Sequence, residues 1–492
     1  MRPQGATMQH SPLTMTPIEE IGPLVDATRA AFETGRTRPL EWRTATLERL
    51  RELVESRADA LGDALEADLG KCAMETTLSE TGVVLSEIDH ALAHLPDWVR
   101  PVKRPTPAAA QPGSSRIEPQ PLGVACVIAP WNYPVNLSLG PVIAAVAAGN
   151  AVVLKPSELA PASAAALGEL VDALDDPALA IVQGGVAETT ELLEQRFDHI
   201  LYTGGGRVGR VVMRAAAEHL TPVTLELGGK SPAVVTSTAK IDQAAKRLAW
   251  GKWVNAGQTC IAPDYVLVAD DVHDQLVDRL VATIAEFYGD DPKQSPDYAR
   301  IVTDSHFHRL EKLLDSGTVA AGGDSDVDDR YIAPTVLVDV EPDAPVMEEE
   351  IFGPVLPILR MESLDDAVAR INDRDKPLAL YVFSEEDAEV DHVLSQTSSG
   401  GVTVNGTLFH FANAELPFGG VGESGMGAYH GKFGFDTFSH QRAVYERSTR
   451  VDLPMMYPPY TDAKRKMLDR ALRLGDPREV VAKVKQVALR RR

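Results

Sequence analysis

Cysteine is scarce in this chain of 492 residues: only Cys72, Cys126 and Cys260 occur. They lie far apart, with no CxxC and no His at pairing distance. That excludes a disulfide framework and a zinc knuckle, sets the expectation of no bound metal, and fits a reducing cytoplasm. Basic charge is short as well. Against 71 Asp and Glu stand 48 Lys and Arg, a net charge of −23. Neutralising phosphates takes clustered cations, so no nucleic-acid partner is expected. Long apolar runs are also missing. The most apolar stretch, residues 138–154, is interrupted by Gly140-Pro141 and by Gly149-Asn150. It is too short to span a bilayer and reads as a buried helix, Val142–Ala148, turning into a buried strand, Ala151–Leu154. Residues 1–17 carry no apolar core of a secretory signal.

What is present is the composition of a globular protein, 44% hydrophobic and 24% charged. The length calls for two or three domains, and no internal repeat is visible. Leu47, Leu50, Val54, Ala58, Leu61 and Leu65 recur at helical spacing, predicting one amphipathic helix that stops at Gly70. Residues 100–120, rich in Pro, Ala and Ser, read as a linker or an extended excursion. From Pro121 short β-branched runs alternate with helical segments: Gly123–Ile128, Ala151–Leu154, Ala180–Gln183 and His199–Tyr202. Beyond Pro263 a second set follows: Tyr265–Ala269, Tyr331–Val340, Val355–Leu359, Ala379–Phe383 and Gly401–Asn405. The first set predicts a parallel sheet with helices on both faces, and such sheets bind ligands at the carboxyl ends of their strands; the second set reads as a second α/β domain. Asp324, Asp326, Asp328 and Asp329 read as solvated turn residues.

Two segments carry chemistry. Asn255-Ala256-Gly257-Gln258-Thr259-Cys260 offers a thiol, and Leu225-Glu226-Leu227-Gly228-Gly229-Lys230 offers a carboxylate. A thiolate attacks carbonyls well, and the thioester it forms is open to water activated by a general base. Alone, a Cys between Thr and Ile is more often a buried small hydrophobe. Three further stretches lie at predicted strand ends. Gly204-Gly205-Gly206-Arg207-Val208-Gly209 has the letters G-x-G-x-x-G in strand-turn-helix context, suited to a pyrophosphate. Lys155-Pro156-Ser157-Glu158 could hold ribose hydroxyls or form a capped turn. Pro130-Trp131-Asn132-Tyr133-Pro134 offers a carboxamide for a developing oxyanion, or a turn stabilised by Asn.

With Glu350-Ile351-Phe352-Gly353-Pro354 and Pro417-Phe418-Gly419-Gly420, these motifs make the chain resemble the aldehyde dehydrogenase superfamily from about residue 18 to residue 451. Cys260–Tyr265, Ser424–Gly431, Phe435–His440 and Tyr457-Pro458-Pro459 are similar to its class 3 branch, which includes fatty aldehyde and coniferyl aldehyde dehydrogenases. The resemblance implies an α/β fold: a Rossmann-type cofactor domain (18–104 and 121–226), an α/β catalytic domain (227–412) and a small β oligomerisation arm (105–120 and 413–450). A flexible N-terminus (1–17) and a basic tail (451–492) flank them, and a homodimer is implied. It assigns Cys260 as nucleophile, Asn132 as oxyanion donor and Glu226 as base. NAD, with NADP as a second cofactor, would be held by Lys155, Glu158, Gly204, Gly205, Gly209, Gly228, Glu350 and Phe352. The aldehyde, aliphatic or aromatic, would meet Tyr133, Leu137, Thr259, Ile261 and either His410 or Phe411.

Arg207 either assists a 2′-phosphate or faces solvent, the preferred reading, while Glu158 opposes that phosphate. An acyl-phosphate or acyl-CoA reductase of the same fold is the alternative, disfavoured by Glu226. A non-catalytic structural relative is disfavoured by the intact Asn132, Glu226 and Cys260. In the tail, Lys464, Arg465 and Lys466 precede Val480, Val481, Val484 and Val487 at helical spacing and Arg490-Arg491-Arg492. This pattern suits either an anionic membrane or, preferably, an acidic face of the chain's own dimer.

Overall fold

A computed structural model describes residues 13–107, 110–450 and 456–473. The tail valines and Arg490–Arg492 lie outside the described residues. The chain divides into two units, one built from residues up to His94 with Pro121–Phe438, the other from Leu95–Gln120 with residues from Ser439 onward.

The larger unit holds two large sheets and a two-stranded antiparallel one, Ser325–Asp326 with Tyr331–Ile332. In the first, the order is Gly425–Met426, Val223–Glu226, His199–Thr203, Val124–Ile128, Ala151–Lys155, Leu179–Ile181, parallel except for the Gly425–Met426 edge. Its central strands are buried from end to end, as the unbroken β-branched runs require when helices cover both faces. The second sheet runs Thr318–Ala321, Thr335–Val338, Val355–Met361, Tyr265–Ala269, Pro232–Val235, Ala379–Phe383, Gly401–Val404. Only its Thr318–Ala321 edge is antiparallel. The smaller unit has a three-stranded sheet, Val102–Arg104, Gly113–Pro121, Ser439–Arg447, and a helix, Asp462–Arg473. Of residues 413–450, Ser439–Arg447 joins this sheet, whereas Gly425 and Met426 extend the first sheet of the larger unit.

Two sequence readings are corrected. The helix expected from Leu47 to Leu65 is two, Leu40–Ser56 and Ala58–Leu69, parted at Arg57, whose φ of −109° and ψ of 12° leave the helical range. The apolar period runs on across the break because both helices turn the same side to one core; periodicity reports a face, not a continuous axis. Gly70 does end the second, in the left-handed region at φ 66°. The buried helix starts at Asn136 rather than Val142. Pro141 sits inside it, at the cost of the one bond its nitrogen cannot make. The acidic turn is at the surface as expected, with Asp324, Asp328 and Asp329 exposed, and Asp326 and Asp329 also form surface ion pairs with Lys293 and Arg300 (3.0 Å). Among the described residues no helix is long and apolar enough to cross a membrane.

Candidate active site

Helix Ile241–Trp253 ends in a tight left-handed turn. Asn255 (φ 52°), Ala256 (φ 50°) and Gly257 (φ 74°) all lie in the region that L side chains avoid. A Cβ on Gly257 would fall 2.2 Å from the Gly353 carbonyl oxygen, so only glycine fits there. Each non-glycine outlier costs on the order of 1–3 kcal/mol and persists only when its surroundings over-determine it. They do. The Asn255 backbone N–H donates to Glu75 Oε1 (3.0 Å), and Asn255 Nδ2 donates to the carbonyls of Asn132 (2.8 Å) and Gln258 (3.2 Å). Gln258 in turn donates to the carbonyls of Asn255 and Arg300 and accepts from the Val302 N–H. The turn delivers Cys260, half-buried, to a cavity wall. Burial pushes its thiol up, with Glu350 and then Glu226 adding repulsion.

Asn132 follows strand Val124–Ile128 and is buried, with Nδ2 donating to the Gln258 carbonyl at 3.0 Å. Its position rests on a pair that the sequence does not reveal. Lys71 and Glu80 have no exposed side-chain surface and meet at 2.5 Å. Lys71 also donates to the Asn132 carbonyl (2.8 Å) and lies 3.9 Å above the Tyr133 ring. The second Glu80 oxygen accepts from the N–H groups of Val135 (3.1 Å) and Asn136 (2.9 Å). It thereby satisfies donors that the start of helix Asn136–Ala148 would leave orphaned. Glu80 sits in a widened π-helical turn, Thr77–Thr81, that turns it inward. Burial pushes Lys71 down and Glu80 up, while their contact opposes both shifts.

Glu226 closes strand Val223–Glu226. Its backbone is fixed by Gly204 N–H to Glu226 O (3.0 Å) on one side and the Gly425 pairing on the other. The side chain is buried, lines the same cavity as Cys260, and has no hydrogen-bond partner on either oxygen. Burial holds its carboxyl well above the usual carboxylate range. Lys230, in the same segment, binds Asp264 (2.5 Å) and the carbonyls of Val346 and Glu349. Asp264 accepts the Ile351 N–H (2.9 Å), which pins the Glu350 loop here. Glu350 is pushed up to about 8, first by burial and then by Asp264. A Cβ on Gly228 would lie 2.0 Å from its carboxyl, so this close approach needs glycine. Phe352, at φ 50°, sets its ring edge-on to Trp131 at 5.3 Å.

The expected cofactor groups lie around the ends of the first sheet. Lys155 is buried at its strand end, 3.7 Å from Glu158, and donates to the Pro156 carbonyl (2.7 Å). Helix Gly206–Glu218 starts just past Gly205, where an added Cβ would meet nothing within 4 Å. Gly209 is buried within it, and Arg207 is exposed. An open backbone turn at an exposed helix start, with a strand-end lysine two strands away in the same sheet, fits a dinucleotide phosphate.

A cavity of about 840 Å³ is lined by both Cys260 and Glu226, whereas Asn132, Lys155, Glu158, Glu350 and Phe352 are not among its lining residues. Tyr133, Leu137, Thr259 and Ile261 line it, and the Tyr133 and Thr259 hydroxyls share a 2.6 Å hydrogen bond. His410 is not among the lining residues. It bonds the Thr403 hydroxyl (2.9 Å) and stacks on Phe418, and burial lowers it to about 4, so it is neutral. Leu408, Phe409, Phe411 and Phe418 form that wall instead; a one-residue difference in a loop decides which side chain turns inward. Among the described residues the lining includes four carboxyl groups, Glu75, Glu226, Glu286 and Asp297, and no Lys or Arg. Phe411, one of the two sequence alternatives, does line the cavity, whereas Lys71, Glu80, Glu75, Leu408 and Phe409 are marked by no local spacing in the sequence.

Residues 13–444 match the model of the Aldehyde dehydrogenase family. The chain is 49% identical to mouse "Aldehyde dehydrogenase family 3 member A2", over 89% of this chain and 91% of the relative. It is 48% identical to mouse "Aldehyde dehydrogenase, dimeric NADP-preferring", over 90% and 98%. The solved structure "Substrate bound state of Staphylococcus Aureus AldH" superposes with a TM-score of 0.90 at 44% identity, covering 93% of this chain and 99% of that one.

Proposed function

Because this chain belongs to the aldehyde dehydrogenase family and oxidises aldehydes to acids with NAD(P), we propose that Cys260 carries the substrate as a thioester that Glu226 hydrolyses. The observation that carries this reading is a buried carboxyl with no hydrogen-bond partner facing the same cavity as the thiol. The Cys260 thiol gives its proton to water, its sulfur adds to the aldehyde carbon, and the carbonyl oxygen gains the charge. One N–H of Asn132 already serves the Gln258 carbonyl; the second, with the Cys260 backbone N–H, receives that oxygen. When bound, the nicotinamide supplies the hydride acceptor that raises the adduct to the acyl level. Glu226 then takes a proton from water as the water adds to the thioester, and the Cys260 thiol leaves as the acid forms.

Lys155 and Glu158 would hold the adenine ribose, the Gly204–Gly209 turn the phosphates, and Glu350 with Phe352 the nicotinamide ribose. NAD is read as the main cofactor and NADP as a second, because Glu158 repels a 2′-phosphate and Arg207 points to solvent. The name of the mouse relative, NADP-preferring, supports use of NADP. The substrate is a neutral aliphatic or aromatic aldehyde: the wall is rich in Phe and Leu, and its carboxyl groups disfavour an anionic chain. The chain forms a homodimer, with the sheet of residues 102–121 and 439–447 as its arm; the relative's name, dimeric, supports this, and light scattering tests it. The function is tested by following reduced-cofactor formation with NAD or NADP, paired with short aliphatic, long aliphatic and cinnamyl-type aldehydes. Turnover of long and aromatic aldehydes, with ω-carboxy analogues poor, is expected. A preference for the carboxy analogues would overturn the substrate reading.

A further inference from the structure

The segment that supplies Leu408, Phe409, Phe411 and Ala412 to the aldehyde cavity continues to Glu415, which meets two histidines of helix Gly82–Trp98. His90 and His94 are four residues apart, hence on one helix face, with ring centroids 4.3 Å apart. One ligand atom from each of His90, His94 and Glu415 lies within 4.8 Å of the others, and His90 Nε2 is 3.5 Å from Glu415 Oε1. We propose that these three residues bind a divalent cation of the zinc class, and that its occupation braces the 408–415 wall of the aldehyde cavity.

The donor set decides the metal. Two imidazoles and one carboxylate suit Zn²⁺, Co²⁺, Ni²⁺ or Cu²⁺, whereas Mg²⁺ and Ca²⁺ take oxygen shells. Tetrahedral bonds of about 2.0–2.2 Å set ligand atoms roughly 3.3–3.6 Å apart. The His90–Glu415 pair already stands at that separation. The widest pair needs to close by about 1 Å, which side chains at the surface accommodate by rotation. His94 is also oriented for ligation. Its Nδ1 bonds the His90 carbonyl at 2.8 Å, and a carbonyl only accepts, so Nδ1 donates and Nε2 is the nitrogen that would meet the metal. Glu415 is presented by a turn in which Asn413 accepts from the N–H groups of Glu415 (3.0 Å) and Leu416 (2.9 Å).

The route to the cavity is short. One turn before His90, Glu87 contacts His430 at 2.9 Å, and the His430 ring packs on Phe411 at 4.7 Å. A metal bridging the helix to Glu415 would therefore tie both ends of a contact that includes a cavity-lining ring. Metal binding is independent of the reading of Cys260, so the test is run on Cys260→Ala protein, which removes a half-buried cavity thiol as a competing ligand. Zinc titration by calorimetry is expected to show one site at micromolar concentration, weakened at least about tenfold in His90→Ala and in His94→Ala. Glu415→Gln should weaken it less, and His308→Ala, an exposed histidine elsewhere, should leave it unchanged. Cobalt should give visible d–d bands without sulfur charge-transfer absorption, and zinc should slow amide exchange in residues 408–416. No saturable binding, binding indifferent to His94→Ala, or sulfur charge transfer would each overturn the site. Unchanged exchange in residues 408–416 would overturn the bracing.

Discussion

Replacing Glu80 by Gln removes one charge from a fully buried pair and keeps the side chain's shape. The Gln oxygen can still accept from Val135 and Asn136, but its amide then turns N–H groups toward the Lys71 ammonium, donor against donor. Lys71 retains only the Asn132 carbonyl and the Tyr133 ring. Breaking a buried pair from one side costs about 3–5 kcal/mol. With about 450 residues unfolding together at about 2.1 cal/mol/K each, that corresponds to roughly 3–5 °C in Tm. Activity should fall too, because Lys71 anchors the Asn132 backbone. Deleting an oxyanion donor outright costs about 10²–10³ in kcat, so a loosened one should cost about tenfold, with KM less affected. Lys71→Met added to Glu80→Gln lets the Gln amide serve the Asn132 carbonyl, and should restore about 2 kcal/mol in a double-mutant cycle. Calorimetric scans with steady-state kinetics on the four proteins provide the assay. A Glu80→Gln enzyme within about 1 kcal/mol of the parent, with unchanged kcat, would refute the role of the pair as an anchor.

Other consequences are equally direct. A carboxyl held above its usual range keeps its proton to higher pH, so the base form of Glu226 is lost as pH falls through that raised value. Hydrolysis of an acyl-enzyme formed from a nitrophenyl ester should then decline about tenfold per pH unit on the acid side; a rate flat down to about pH 5 would contradict it. Glu350 retains a proton between its usual 4.5 and about 8, where the unfolded chain has released it, so its contribution to stability falls as pH rises across that window. Glu350→Gln should flatten this part of the Tm–pH profile. Glu158→Gln should shift kcat/KM toward NADP by about fivefold at low salt, the roughly 1 kcal/mol that two charges 4 Å apart exchange in water. An unchanged cofactor ratio would remove Glu158 from that role.

Much of the fold was legible because it is carried by local pattern. The β-branched runs at Val124–Ile128, Ala151–Lys155 and His199–Thr203 are buried central strands, and such strands must be apolar throughout. Pro232–Val235 escaped notice although it is central to the second sheet, because it is short and opens with proline. The segments proposed to carry the chemistry were readable as contiguous strings, Asn255–Cys260 and Leu225–Lys230, and both reach the wall of one cavity. Their supports were not. Lys71 reaches Asn132, and Glu75 reaches Asn255, across folds of the chain that no spacing encodes. The break at Arg57 was invisible for a related reason, since a continuous apolar face does not require a continuous helix.

The most direct test is a single turnover of Glu226→Gln enzyme with NAD and a long-chain aldehyde, followed by mass spectrometry of the intact protein. Hydrolysis by Glu226 requires one equivalent of reduced cofactor in a burst, then a stall, with the acyl mass retained on Cys260. Undiminished steady-state turnover, or a stall without any burst, would contradict the account.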